Sequence, residues 1–123
     1  MKKQGCWSMV SVLLVLAISV HAATLKVPSQ YSTIQSAIDA AVGGDTVLVA
    51  DGTYTGEGNR DIDFKGKAIT VKSEHGADTC IIDCQGSKTN LHEGFNFHSS
   101  ETTASVLDGF TITQANPNRS EVG

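Results

Sequence analysis

With 123 residues and a formal net charge of −4, the chain has room for one domain at most. Acids and bases are interspersed, with neither a basic stripe nor an arginine cluster, which excludes a nucleic-acid or anionic-membrane surface as the expected partner.

Lys2 and Lys3 precede an apolar run from Val10 to Val20, and Val20-His21-Ala22 offers a cleavage site before Ala23. Residues 1–22 therefore predict a secretory signal peptide, since a membrane span needs about 20 apolar residues. Its removal takes Lys2, Lys3 and no acid, moving the formal charge from −4 to −6. The expected product is secreted or held at the cell surface, with no membrane insertion after cleavage. Cys6 leaves with the leader, so Cys80 and Cys84 remain, in a compartment that permits a disulfide.

Residues 23–45 predict a strand and a helix. Leu25-Lys26-Val27 is strand-like and Pro28 ends it, because proline has no donor for a ladder. Ser32 with Gln35 reads as a capping box. Ile34, Ala37, Ile38 and Ala41 then fall on one face of a helix of about three turns, which Gly43 and Gly44 stop. So short a helix is not stable alone, and its apolar stripe requires a surface to lie on.

Residues 46–123 predict strands only. Thr46 to Ala50 is a continuous apolar and β-branched run, the mark of a strand covered on both faces, and Asp51-Gly52-Thr53-Tyr54 turns away from it. Ile62 and Phe64, Ile69 and Val71, Phe95 and Phe97, and Phe110 and Ile112 then alternate with polar residues, so each strand has one buried and one wet face. An antiparallel sandwich and a parallel β-helix both fit. No Asn-Gly or Asp-Gly pair links alternating strands as a hairpin turn, and similar strands recur about 22 residues apart (Val47 to Ile69) and about 26 apart (Ile69 to Phe95), the range of stacked repeats. The expected class is all-β, a right-handed parallel β-helix of two to three coils with an N-terminal amphipathic capping helix.

At these residues the chain resembles secreted bacterial right-handed parallel β-helix repeat proteins of the pectin-lyase-like fold. The resemblance rests on Val27 to Tyr54, Gly58 to Val71, Cys80-Ile81-Ile82-Asp83-Cys84-Gln85-Gly86, Gly94 to His98 and Leu107 to Thr113. It implies that the helix caps the open end of the stack and that more coils follow the Gly-Phe-Thr-Ile strand, so that residues 46–123 begin a longer β-helix. It implies no single activity, because the entry segment is shared by lyases, pectin esterases, polygalacturonase-like proteins and members with no assigned reaction.

Each residue with chemistry has an ordinary alternative. Asp61 and Asp63, two apart on one strand, place their Cα atoms about 7 Å apart, compatible with a carboxylate pair or a shared Ca²⁺. They read more simply as a solvated face balanced by Arg60, Lys65 and Lys67. Glu57, after Gly52-Thr53-Tyr54, resembles the Gly-x-Tyr-x-Glu motif of pectin methylesterases with one residue too many. His75, His92 and His98 read as surface imidazoles, since their spacing matches no metal site. Cys80 and Cys84 share one inward face about 13 Å apart in an extended strand, beyond the ~7 Å reach of a disulfide, and read as buried free thiols. Asn118-Arg119-Ser120 matches a glycosylation acceptor. No catalytic, cofactor-binding or metal residue is assigned. The expected function is a secreted or cell-surface β-helix scaffold, non-catalytic in this region, that contacts polysaccharide; the alternative is the N-terminal part of a polysaccharide-active enzyme of lyase, glycoside hydrolase or pectin esterase type whose active site lies downstream.

Overall fold

The computed structural model describes residues 21–117. Residues 1–20, which hold most of the expected signal peptide, and the Asn118-Arg119-Ser120 tripeptide lie outside them. The described chain runs β1 (Thr24–Val27), α1 (Ile34–Ala40), β2 (Thr46–Val49), β3 (Gly52–Tyr54), β4 (Ile62–Asp63), β5 (Thr70–Ser73), β6 (Cys80–Asp83), β7 (Phe95–Asn96), β8 (Val106–Asp108) and β9 (Thr111–Thr113). Every ladder between these strands is parallel. The sheets have the orders β1-β2-β5-β8, β3-β6-β9 and β4-β7, so from β2 onward the chain visits them in a fixed rotation. The architecture is all-β, with one short helix.

Register builds the core. Leu25, Val47, Val71 and Leu107 stand in one inward column, Tyr54, Ile82 and Ile112 in a second, and Ile62 and Phe95 in a third. Burial is complete in the middle layers and falls away in the last: Val47, Val71, Ile62 and Ile82 are fully buried, whereas Ile112 is 43% and Phe97 47% exposed. The expected alternation holds in β5 and β6 but not in β9, where Ile112 is exposed and Thr111 and Thr113 are half-buried; β7 and β9 have no neighbour on their outer side among the described residues. At the other end the stripe Ile34, Ala37, Ile38 and Ala41 is buried, and α1 lies against β1, β2 and β4.

Several expectations are corrected. The helix has two turns, with Thr33 as its N-cap and Ser36 completing the capping box, in place of Ser32 and Gln35. Other partners meet its first amides: Ile34 N donates to Asn59 Oδ1 at 3.1 Å, and Gln35 N to the Gly58 carbonyl at 2.8 Å. Gly58 sits at φ +85°, where a Cβ would run into Thr33. No glycine stops α1, because its C-cap Ala41 is extended. Lys67 Nζ donates instead to the carbonyls of Ile38, Asp39 and Ala41 at 2.7, 3.0 and 2.7 Å.

Nearby, Asp45 Oδ2 accepts from Val42 N and Oδ1 from Ala23 N. These bonds, Val42's above all, hold the Asp45 carboxyl below its ordinary pKa. In β2 only Val47 and Val49 are buried, while Thr46 and Leu48 are half-exposed, because no further layer covers the outer side of that sheet. Gly52–Tyr54 is a strand, not a turn. Val47 stands opposite Val71, and that sheet continues to Leu107 rather than to Phe95. Long turns after Asp83 and Asn96 displace the spacing that Ile69 and Phe95 suggest.

Candidate functional site

Asp61 leads into β4 from a left-handed conformation, φ 51°, which turns its side chain towards the segment before β7. There the backbone is pinned: Asp61 N donates to the Glu93 carbonyl at 2.7 Å and Ile62 N to the Gly94 carbonyl at 2.9 Å. The Asp61 carboxylate completes the link. Its Oδ1 accepts from Glu93 N at 2.8 Å, and its Oδ2 lies 2.6 Å from His92 Nδ1. The His92 carbonyl accepts from Asn116 N at 2.7 Å, bringing the end of the described chain over the same spot. Asp61, Leu91, His92, Glu93 and Pro117 wall an open cleft of about 240 Å³.

The arrangement has a definite chemistry. With the proton on Nδ1, His92 donates to Asp61 and keeps Nε2 as an acceptor. Carboxylate and imidazole together orient one another, as in any histidine held by an acid. Among the described residues, the polar walls of the cleft are the Asp61 and Glu93 carboxylates and the His92 imidazole, which supply hydrogen-bond partners.

Two further pairs repeat the theme. His98 Nε2 lies 3.1 Å from Asp63 Oδ2. His75 Nδ1 lies 3.0 Å from Asp51 Oδ1, which also accepts from Thr79 Oγ1. The Asp51 bond and charge raise the His75 pKa, and His75, as chief cause, lowers that of Asp51. Asp63 and Asn96 face each other in register between β4 and β7, so acidic, amide and imidazole groups run along one outer face. Parallel register makes all three pairs, and the sequence holds no signal for them, since the partners lie 24, 31 and 35 residues apart.

Of the cations expected to balance Asp61 and Asp63, Lys65 feels the charge of Asp63, but each makes its contacts elsewhere. Lys65 Nζ pairs with Asp39 at 2.7 Å, Lys67 serves the end of α1, and Arg60 Nη1 donates to the Cys84 carbonyl at 3.1 Å. Arg60 Nη2 stands 3.7 Å from Glu57, whose side chain is almost fully exposed and takes no part in the cleft. Cys80 and Cys84 are buried free thiols. Burial is the main cause that raises both, and Asp51 helps push Cys80 up to about 11. No group of three or more His, Cys, Asp or Glu among the described residues could hold a metal ion.

Comparison with protein-family models, curated proteins and solved structures finds no match. Among the described residues no helix is long and apolar enough to cross a membrane.

Proposed function

We propose that the described strands are turns of a right-handed parallel β-helix, exported by its leader and serving as a scaffold whose outer β4–β7 face contacts polysaccharide. The fixed rotation of the chain through three parallel sheets supports the architecture, and connections between parallel strands are right-handed in nearly all cases. The observation that carries the glycan reading is the outer row itself. Asp61, Asp63, His92, Asn96 and His98 align donors and acceptors along one face beside an open cleft, and stacked repeats build extended binding surfaces of this kind. A glycan array tests it: retention of the chain from Ala23, lost on the double substitution His92→Ala and Asn96→Ala, is the expected result. Absence of binding to any glycan overturns it.

One observation favours an enzyme acting on polysaccharide. The His92 imidazole, oriented by Asp61, has the form of a general base. Release of shortened or unsaturated sugars by the chain, abolished by His92→Gln, would establish that reading.

A further inference from the structure

Asp45 is buried, 5% exposed, in the turn from α1 into β2, and three elements meet at it. Its Oδ2 accepts from Val42 N at 2.9 Å, just past the end of α1, and its carbonyl accepts at 3.0 Å from Thr70 N, the first amide of β5. Its Oδ1 accepts from Ala23 N at 2.8 Å. The start of the β1–β2 ladder holds Ala23 in that place: Thr46 N donates to the Ala23 carbonyl at 2.9 Å, and Thr24 stands opposite Thr46. Two backbone amides satisfy the carboxylate oxygens but leave their charge unbalanced, which is costly for a buried group. Lys67 contributes only the field of its charge, because its ammonium is bonded to the carbonyls at the end of α1.

Ala23 is also the residue at which the chain begins once the leader is cut. Hydrolysis of the Ala22–Ala23 peptide bond by a signal peptidase puts the oxygen of water on the Ala22 carboxyl and leaves a primary amine on Ala23. That amine takes up a proton at neutral pH, since its ordinary pKa is about 7.7–8.0. The nitrogen that donates to Asp45 as an amide therefore gains a positive charge in the same position, keeping one proton on Oδ1 and turning the others to water, because Ala23 is exposed. His21, the titratable side chain nearest in sequence on that side, leaves with the leader. The Asp45 carboxyl is already held below the ordinary range, chiefly by the Val42 bond, so it is ionised wherever the amine is charged.

We propose that removal of the leader creates an ion pair between the new Ala23 ammonium and Asp45, which fastens β1 to the end of α1 in the processed chain alone. The pairing presupposes export with cleavage before Ala23, as read above, and adds what the cut does to the fold. The partner carboxylate raises the folded pKa of the amine. Its contribution to stability is thus fully present below about 7.7–8.0 and is lost as pH rises through the folded value.

Expression of the full chain in an exporting bacterial host, followed by intact mass spectrometry, is expected to give a product that begins at Ala23. In that product the Ala23 methyl resonance, which follows the charge on its nitrogen, is expected to titrate above the ordinary α-amino range, and Asp45→Asn to return it there. Because Asp45→Asn also disturbs the Val42 bond, acetylation of the Ala23 amine gives a second comparison, one that restores an uncharged N–H and leaves Asp45 intact. The free-amine chain is expected to melt a few degrees above the acetylated chain in mildly acid solution, and the gap to close as pH rises through the folded value. A product that begins at Ala23 but titrates in the ordinary range, or melts as its acetylated form does, overturns the ion pair and leaves export standing. A product cut at another bond does the same. A chain that is neither cut nor exported removes both.

Discussion

Gln35 and Asp63, 28 residues apart, are joined as two neighbouring strands would be: Gln35 Oε1 accepts from the Asp63 backbone amide at 2.8 Å and Nε2 donates to the Asp63 carbonyl at 3.0 Å. One side-chain amide thus closes the edge of β4 that faces α1, at the point where an exposed edge would invite pairing with another chain. Gln35→Ala leaves both backbone groups without partners in a half-buried setting, and each unsatisfied group costs about 1–3 kcal/mol. Urea denaturation is expected to show a lower midpoint with an unchanged slope. Gln35→Glu keeps the acceptor and removes the donor, and is expected to fall between the two.

Lys67 closes the other end of the helix. Its ammonium meets the carbonyls of Ile38, Asp39 and Ala41, where the helix dipole also favours a positive charge. Lys67→Met keeps the apolar stem and removes the charge, and is expected to cost about 2 kcal/mol on the scale of hydrogen bonds to charged groups. A thermal melt followed by circular dichroism measures it. An unchanged melting temperature would mean that water serves these carbonyls equally well.

These two residues mark the limit of what the sequence reveals. The stripe Ile34, Ala37, Ile38 and Ala41, the inward choice of Ile62, Val71, Ile82 and Cys84, and the thiol state of both cysteines are legible, because periodicity of 3.6 or 2 decides them locally. Gln35 is misread as a capping-box member because the three-residue spacing from Ser32 fits, while its true partner is set by the register of α1 on β4. The His–Asp pairs are invisible for the same reason, and Lys67 looks like a surface charge until the end of α1 is placed over it. The candidate cleft depends on parallel stacking, which no local pattern encodes.

Ile38 tests the placement of the helix. It is fully buried against the end of the strand layers, so Ile38→Ala is expected to cost about 2–5 kcal/mol through lost contact and the cavity left behind. Ile38→Asp adds an unpaired buried charge and is expected to unfold the chain at room temperature. A melting temperature equal to the parent's for Ile38→Asp would show that α1 does not cover the layers.

The thiols give a prediction of reactivity. Cys80 and Cys84 are buried and unpaired, and burial pushes the Cys80 thiol up to about 11, so little thiolate exists at neutral pH. The chain from Ala23 is expected to resist a thiol reagent while folded. It should titrate as two thiols when unfolded, equally with and without prior reduction. One or no thiol in the unreduced, unfolded chain would reveal a disulfide.

His75 and Asp51 give the pH dependence. The folded pKa of His75 is raised, chiefly by its hydrogen bond to Asp51, so its contribution is fully present below the ordinary histidine value of about 6.5 and is lost as pH rises through the folded value. The folded pKa of Asp51 is lowered, chiefly by His75, so its contribution is present above about 3.9 and is lost as pH falls through the folded value. The pair therefore favours the folded state most between these limits, in mildly acid solution. Both side chains are largely exposed, so solvent screening keeps the effect small, and a site-resolved titration is the right measurement. The His75 ring resonance is expected to titrate above the ordinary value, and Asp51→Asn to bring it down. If the midpoint is the same in both proteins, the contact does not persist in solution.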